Sequence, residues 1–238
     1  MSADQTIHSA SGFINSIGVN THAGFAWTDY NNLALMVDDL KYLGVTHLRD
    51  AMATNPAAQP VVDGLAAAGY TFDFIVSSAL PSSGAAGLQA YLTSLAKFAA
   101  ITAIEGLNEA NIQPFSYNGS SNLTAAAQFQ SALYHAVKGD AALSSIPVYN
   151  LSLGYNDAQG YSQLGDMSGS VDFVNAHAYV STGSTPQTSL AATLNAVETA
   201  APGKPVVITE TGYTTQANTQ YLGVDETVQA KSILNTLV

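Results

Sequence analysis

The chain has 238 residues, 47% of them apolar and only 10% charged, and its 17 acidic against 6 basic side chains give a formal charge of −11. That length and apolar content support one large domain, residues 1–238, with a sizeable core; the negative charge repels a phosphate backbone, so a nucleic-acid partner is not expected. Cysteine is absent, which rules out disulfides and thiolate metal sites, and no apolar run approaches the ~18 residues needed to span a bilayer, so no membrane association is expected.

The opening "MSADQTIHSASG" lacks an apolar signal core. Any secretion signal is therefore expected to have been removed or never to have existed, and the expected location is extracellular. The pattern then alternates. Strands are predicted over 13–20 (FINSIGVN), 45–50 (VTHLRD), 71–77 (TFDFIVS), 101–108 (ITAIEGLN), 147–154 (PVYNLSLG), 171–179 (VDFVNAHAY) and 205–211 (PVVITET). Between them run helical periods. Leu33, Met36, Val37, Leu40 and Leu43 make one face that Gly44 closes; Leu88, Leu92, Leu95 and Phe98 make another over 84–100; Phe129, Leu133 and Val137 a third over 124–139. A weak, glycine-punctuated period covers 157–168, and an amphipathic stretch ends the chain over 225–238. Three Asn-x-Ser/Thr triplets, at Asn118, Asn122 and Asn150, match a glycosylation pattern that polar chains often contain by chance.

Strands followed by helices imply an α/β fold of right-handed βαβ units on a parallel sheet. A doubly wound sheet would place a Gly-rich phosphate turn after its first strand, and "GVNTHAGF" has none. A (β/α)8 barrel of the TIM type instead collects polar residues at strand C-termini. Here those ends carry Asn20 and His22, Arg49 and Asp50, Ser77 and Ser78, Asn108 and Glu109, His177 and Tyr179, and Glu210. Only seven units are evident, so the eighth strand is expected to be missing through truncation, or the barrel to stay open.

Alternation puts Glu105, Leu107 and Glu109 on one side of their strand, and Val206, Ile208 and Glu210 on one side of theirs. Glu109 and Glu210 lie 101 residues apart, about three repeats at the ~31 residues per unit of an eightfold barrel. Two carboxylates facing one pocket suit glycosidic bond cleavage, one giving a proton to the leaving oxygen and the other attacking or stabilising the sugar carbon. Arg49 and Tyr179 could hold one of them ionised by charge-assisted hydrogen bonds. Glu105, a pleat deeper, reads as a buried structural carboxylate. His22, His47 and His177 sit at strand ends, but none is spaced four from another and there is no cysteine, so no metal or other cofactor is expected.

Asn108-Glu109 at the fourth strand and Glu210 at the seventh resemble the retaining glycoside hydrolases of clan A, as do "GVNTH", Arg49 and "NAHAY". Within the clan the chain is most similar to the family thirty-nine type, such as β-xylosidases, and to related exopolysaccharide hydrolases. The resemblance implies a barrel, Glu109 as acid/base, Glu210 as nucleophile, and Asn108 as partner of the sugar's 2-hydroxyl. It also implies that Arg49 and Tyr179 orient Glu210 and that His177 lies near Glu109 or the substrate. The family's commoner Asn-Glu-Pro is Asn-Glu-Ala here. Its aromatic platform usually comes from the eighth strand, whereas the single tryptophan, Trp27, follows the first strand near His22. Tyr30, Phe115, Tyr117, Tyr155, Tyr161 and Tyr213 also fall in or beside loops where sugar rings could stack. The expected activity is retaining cleavage of an oligo- or polysaccharide, and the alternative is a sugar-binding or scaffold barrel of little or no activity.

Overall fold

The computed structural model describes residues 9–51, 58–180, 187–216 and 223–237. The opening residues through His8, and Val238 at the end of the last predicted helix, lie outside the described residues. Two compact units are formed, one by Met1–Ile75 with Phe98–Ala103 and one by Val76–Lys97 with Ile104–Val238.

The first unit carries α1 (Ala10–Ile14), β1 (Gly18–Asn20), α2 (Leu33–Leu43), β2 (His47–Ala51), α3 (Gln59–Ala67), β3 (Thr71–Val76, its last residue in the second unit) and the start of β4 (Ile101–Leu107). The strand predicted over 13–20 is thus confined to its second half. Ser9 accepts a hydrogen bond from the Gly12 N–H at 3.0 Å, and this N-cap turns the preceding residues into a short helix. β1, β2 and β3 run parallel, with Gly18 opposite His47 and His47 opposite Thr71. α2 is capped by Asn32, ends at Gly44 in the left-handed region (φ 70°), and buries Met36 and Leu40. Leu43, predicted on that buried face, is exposed. Phe72 and Phe74 stack at 5.0 Å with Phe98 edge-on to both, which closes this part of the core. Buried Asp50 accepts from Thr21 Oγ1, Ala23 N–H and Ala51 N–H at 2.7–2.9 Å, tying the end of β2 to the loop after β1. Burial pushes its carboxyl up, more than those bonds lower it.

The second unit holds α4 (Gly84–Leu95), the rest of β4, α5 (Leu123–Gly139), β5 (Val148–Tyr149), α6 (Ala158–Leu164), β6 (Val174–His177), α7 (Gln187–Ala200), β7 (Val206–Glu210) and α8 (Glu226–Leu237). Ile104 pairs with Val148 and Glu105 with Tyr149, in parallel; β6 and β7 also pair in parallel. By hydrogen bonding the strand order is β1-β2-β3-β4-β5 in one sheet and β6-β7 in another. The fold is α/β with parallel strands, and the five-stranded sheet fits part of a barrel. The strand predicted over 147–154 shrinks to two residues because its later N–H groups turn to different neighbours: Asn150 to Phe173 O and Ser152 to Leu107 O. Asn150 is fully buried, so its glycosylation triplet is a coincidence of composition. Glu105 is fully buried as well. Among the described residues no helix is long and apolar enough to cross a membrane.

α5 packs Phe129, Leu133 and Val137 inward, each worth roughly 1.5–3 kcal/mol of apolar burial. Its far end is fastened by Asp172. That carboxylate meets Lys138 Nζ at 2.7 Å and accepts the Val148 N–H at 2.8 Å. Partial burial pushes the Asp172 carboxyl up, but the lysine and the amide outweigh it and the net direction is down. A carboxyl lowered by folding stabilises the native state above its ordinary value of 3.8 and loses that contribution as pH falls through the lowered value. Asp172→Asn is therefore expected to cost about 1 kcal/mol at neutral pH. The difference from wild type should close in acid, as read by urea unfolding across the pH range.

Candidate active site

β4 ends at Leu107, and Glu109 follows it in the left-handed region at φ 44°. A side chain there costs roughly 1–2 kcal/mol. Bonds to a distant part of the chain hold it: the Glu109 N–H donates to Ser152 Oγ at 3.0 Å, and the Ala110 N–H to Ser152 O at 2.9 Å. The Ile112 and Gln113 N–H groups return to Glu109 O, each at 2.9 Å. The turn brings the Glu109 carboxyl to His177, whose Nδ1 lies 3.2 Å from Oε1.

Glu210 arrives by a different device. Val174, Asn175 and Ala176 pair with Val206, Val207 and Ile208, but the register slips after Ala176 and His177 pairs with Glu210. Thr209 is left over as a bulge. Simple alternation would put Glu210 on the Ile208 side; the bulge instead turns two successive residues, Thr209 and Glu210, onto side chains of β6. Thr209 Oγ1 bonds Asn175 Oδ1 at 2.7 Å, and Glu210 Oε2 lies 3.5 Å from His177 Nδ1. The expected shared side of Val206, Ile208 and Glu210 is corrected by this slip.

His177 stands between the two carboxyls with its side chain 1% exposed, while Glu109 and Glu210 keep 18% and 16%. The Tyr179 hydroxyl donates to Glu210 Oε2 at 2.8 Å. An oxygen of Glu109, a ring nitrogen of His177 and an oxygen of Glu210 all lie within 4.8 Å of one another. The same three atoms could also ligate an ion.

No protein-family model and no curated protein sequence matches the chain. Solved structures do. A glycoside hydrolase family 39 β-xylosidase from Caulobacter crescentus superposes with a TM-score of 0.65 at 17% identity, covering 94% of this chain and 59% of that enzyme. A glycoside hydrolase family 2 β-galacturonidase from Eisenbergiella tayi, bound to galacturonate, gives 0.65 at 13% identity, covering 92% of this chain and 40% of that one. Fungal β-1,4-galactanases give 0.58 at 16% identity, covering 87% and 74%. The fold is one that glycoside hydrolases use. The chain spans about half the length of the first two enzymes.

Of the residues singled out in the sequence, Glu109, His177, Tyr179 and Glu210 come together in the second unit, with Asn108 half-buried in the turn beside Glu109. Arg49 is buried in the first unit, where its Nη1 donates to Asn20 Oδ1 at 3.0 Å. His22 and Trp27 belong to that unit too: His22 stacks on Phe25 at 4.9 Å, Phe25 on Trp27 at 5.5 Å, and Trp27 is 79% exposed.

Sequence reasoning passed over Ser152, Asn111 and Gly154. Asn111 Oδ1 accepts the Gly154 N–H at 2.8 Å, and its Nδ2 donates to Gly154 O at 3.1 Å. Beneath them the buried Tyr161 hydroxyl accepts from Leu153 N–H and donates to Asn175 O, at 3.1 and 3.2 Å. Burial pushes that phenol well above its ordinary value, which keeps it a donor. The signal was present in "SLGYND", which overlaps the end of the fifth predicted strand and whose Ser152 and Gly154 are small enough for other groups to approach closely.

Proposed function

We propose that the chain is a retaining glycoside hydrolase that cleaves O-glycosidic bonds in an oligo- or polysaccharide. One observation carries the reading: carboxyls from the ends of β4 and β7 converge on one buried histidine with oxygens within 4.8 Å. Retaining enzymes hold their pair ~5–5.5 Å apart, inverting enzymes ~6.5–9.5 Å. Nearest oxygens within 4.8 Å support the shorter, retaining spacing over the longer one. The shared fold with glycosidases supports the same class.

In the proposed chemistry the Glu210 carboxylate attacks the anomeric carbon, forming an ester bond as the glycosidic C–O bond breaks. The Glu109 proton passes to the leaving oxygen. Water then attacks the same carbon, gives its proton to Glu109, and displaces Glu210; each turnover consumes one water. Tyr179 steadies Glu210 through its hydrogen bond, His177 fixes the spacing of the pair, and Asn108 would meet the sugar's 2-hydroxyl.

The test is a panel of nitrophenyl xylosides, galactosides and galacturonides in both anomers, with the first-formed sugar read by proton NMR. Retention of configuration is expected. Inverted product, or sugar binding without turnover, overturns the reading. EDTA is expected to leave kcat unchanged; a loss restored by a divalent cation would instead favour an ion held by Glu109, His177 and Glu210.

A further inference from the structure

We infer that Tyr155 is the platform on which the leaving-group sugar stacks while Glu109 protonates the glycosidic oxygen. The inference rests on Glu109 acting as the acid/base. Tyr155 costs the fold in two ways. Its backbone is left-handed (φ 60°, ψ 25°), an expensive conformation for a residue with a Cβ, and its ring is 80% exposed. So exposed a ring gains little from packing in return. A large aromatic kept under those conditions points to a ligand that covers it.

Its position says which ligand. Gly154, one residue earlier, lies directly against the acid/base: a Cβ there would stand 3.2 Å from Glu109 Oε1 and 2.8 Å from Ile112 Cδ1. The Gly154 backbone is gripped on both sides by the Asn111 amide, which also donates to Asp157 Oδ2 at 3.2 Å. Asp157 Oδ1 in turn caps α6 through the Gly160 N–H at 2.8 Å. Tyr155 therefore springs from a stem fixed to the proton donor. The group that receives this proton is the departing oxygen, so the ring attached to that oxygen is the one a platform here would meet. An uncharged phenol selects a neutral sugar with an apolar C–H face.

A glycosyl fluoride separates this role from the rest of catalysis, because its leaving atom carries no ring to stack. The measured quantity is kcat/KM on xylobiose or galactobiose divided by kcat/KM on the corresponding glycosyl fluoride. Tyr155→Gly is expected to lower this ratio roughly tenfold, Tyr155→Phe to recover most of the loss, and the melting temperature of Tyr155→Gly to equal or exceed that of the wild type, since glycine relieves the strain. A ratio unchanged in Tyr155→Gly, with the wild-type chain active on both substrates, overturns the inference alone. So does a melting temperature lowered by several degrees, which would make the ring a packing element. Failure of the wild-type chain to turn over these substrates or any glycoside of the nitrophenyl panel overturns the acid/base reading and this inference with it.

Discussion

Glu210→Ala is expected to lower kcat/KM on an aryl glycoside on the order of 10⁵-fold, the scale of losing a covalent nucleophile. The fold should survive, because the side chain is partly exposed at the end of β7 and the Tyr179 that donates to it is itself exposed. Azide should restore turnover. With the carboxylate gone, the anion can enter from the vacated face and attack the anomeric carbon directly, with a single displacement in place of two. The glycosyl azide must then have the configuration opposite to that of the substrate. An azide product of unchanged configuration, or wild-type rates in the variant, would remove Glu210 from the reaction.

The alternation of strand and helix was readable because its physical cause is periodic: core-facing residues recur at about two or 3.6 positions. The Leu33–Leu43 helix, read from its apolar face and glycine stop, came out to the residue at Gly44. What escaped was set by single backbone events that no period encodes. The slip that leaves Thr209 over and pairs Glu210 with His177 is invisible in "PVVITET", where alternation places Glu210 beside Ile208. Glu109 stands out in the sequence through Asn108 together with Glu210 three repeats later, yet its left-handed turn depends on Ser152, a partner more than forty residues away. Local chemistry decided other cases: Ser9 caps a helix where apolar content suggested a strand, and Asn150 lost its apparent modification site to burial. The meeting of the two carboxyls was legible because polar residues at strand C-terminal ends gather on one side of such a sheet. Their exact approach was not, because a bulge and a positive φ are tertiary outcomes.

Glu109→Ala should show a loss that depends on the substrate, which distinguishes an acid/base from a residue that merely supports the fold. For a leaving group as basic as a sugar hydroxyl, protonation is needed as the bond breaks, and kcat/KM is expected to fall about 10²–10⁴-fold. A dinitrophenyl glycoside departs without that proton, so its kcat/KM should change little while kcat falls, because the glycosyl-enzyme then waits for a water no base activates. The variant still carries Glu210, with its Tyr179 hydrogen bond 2.8 Å long and His177 alongside. Azide should therefore intercept the intermediate rather than replace the nucleophile, and two displacements at one carbon return the substrate's own configuration. The two alanine variants are thus expected to yield glycosyl azides of opposite anomeric form from the same substrate. If both gave the same anomer, or if the Glu109→Ala loss were equal for good and poor leaving groups, the division of roles between the β4 and β7 carboxyls would be wrong. Were the closeness of the pair to serve an ion instead, activity would fall with chelator, a response that the azide experiment does not have.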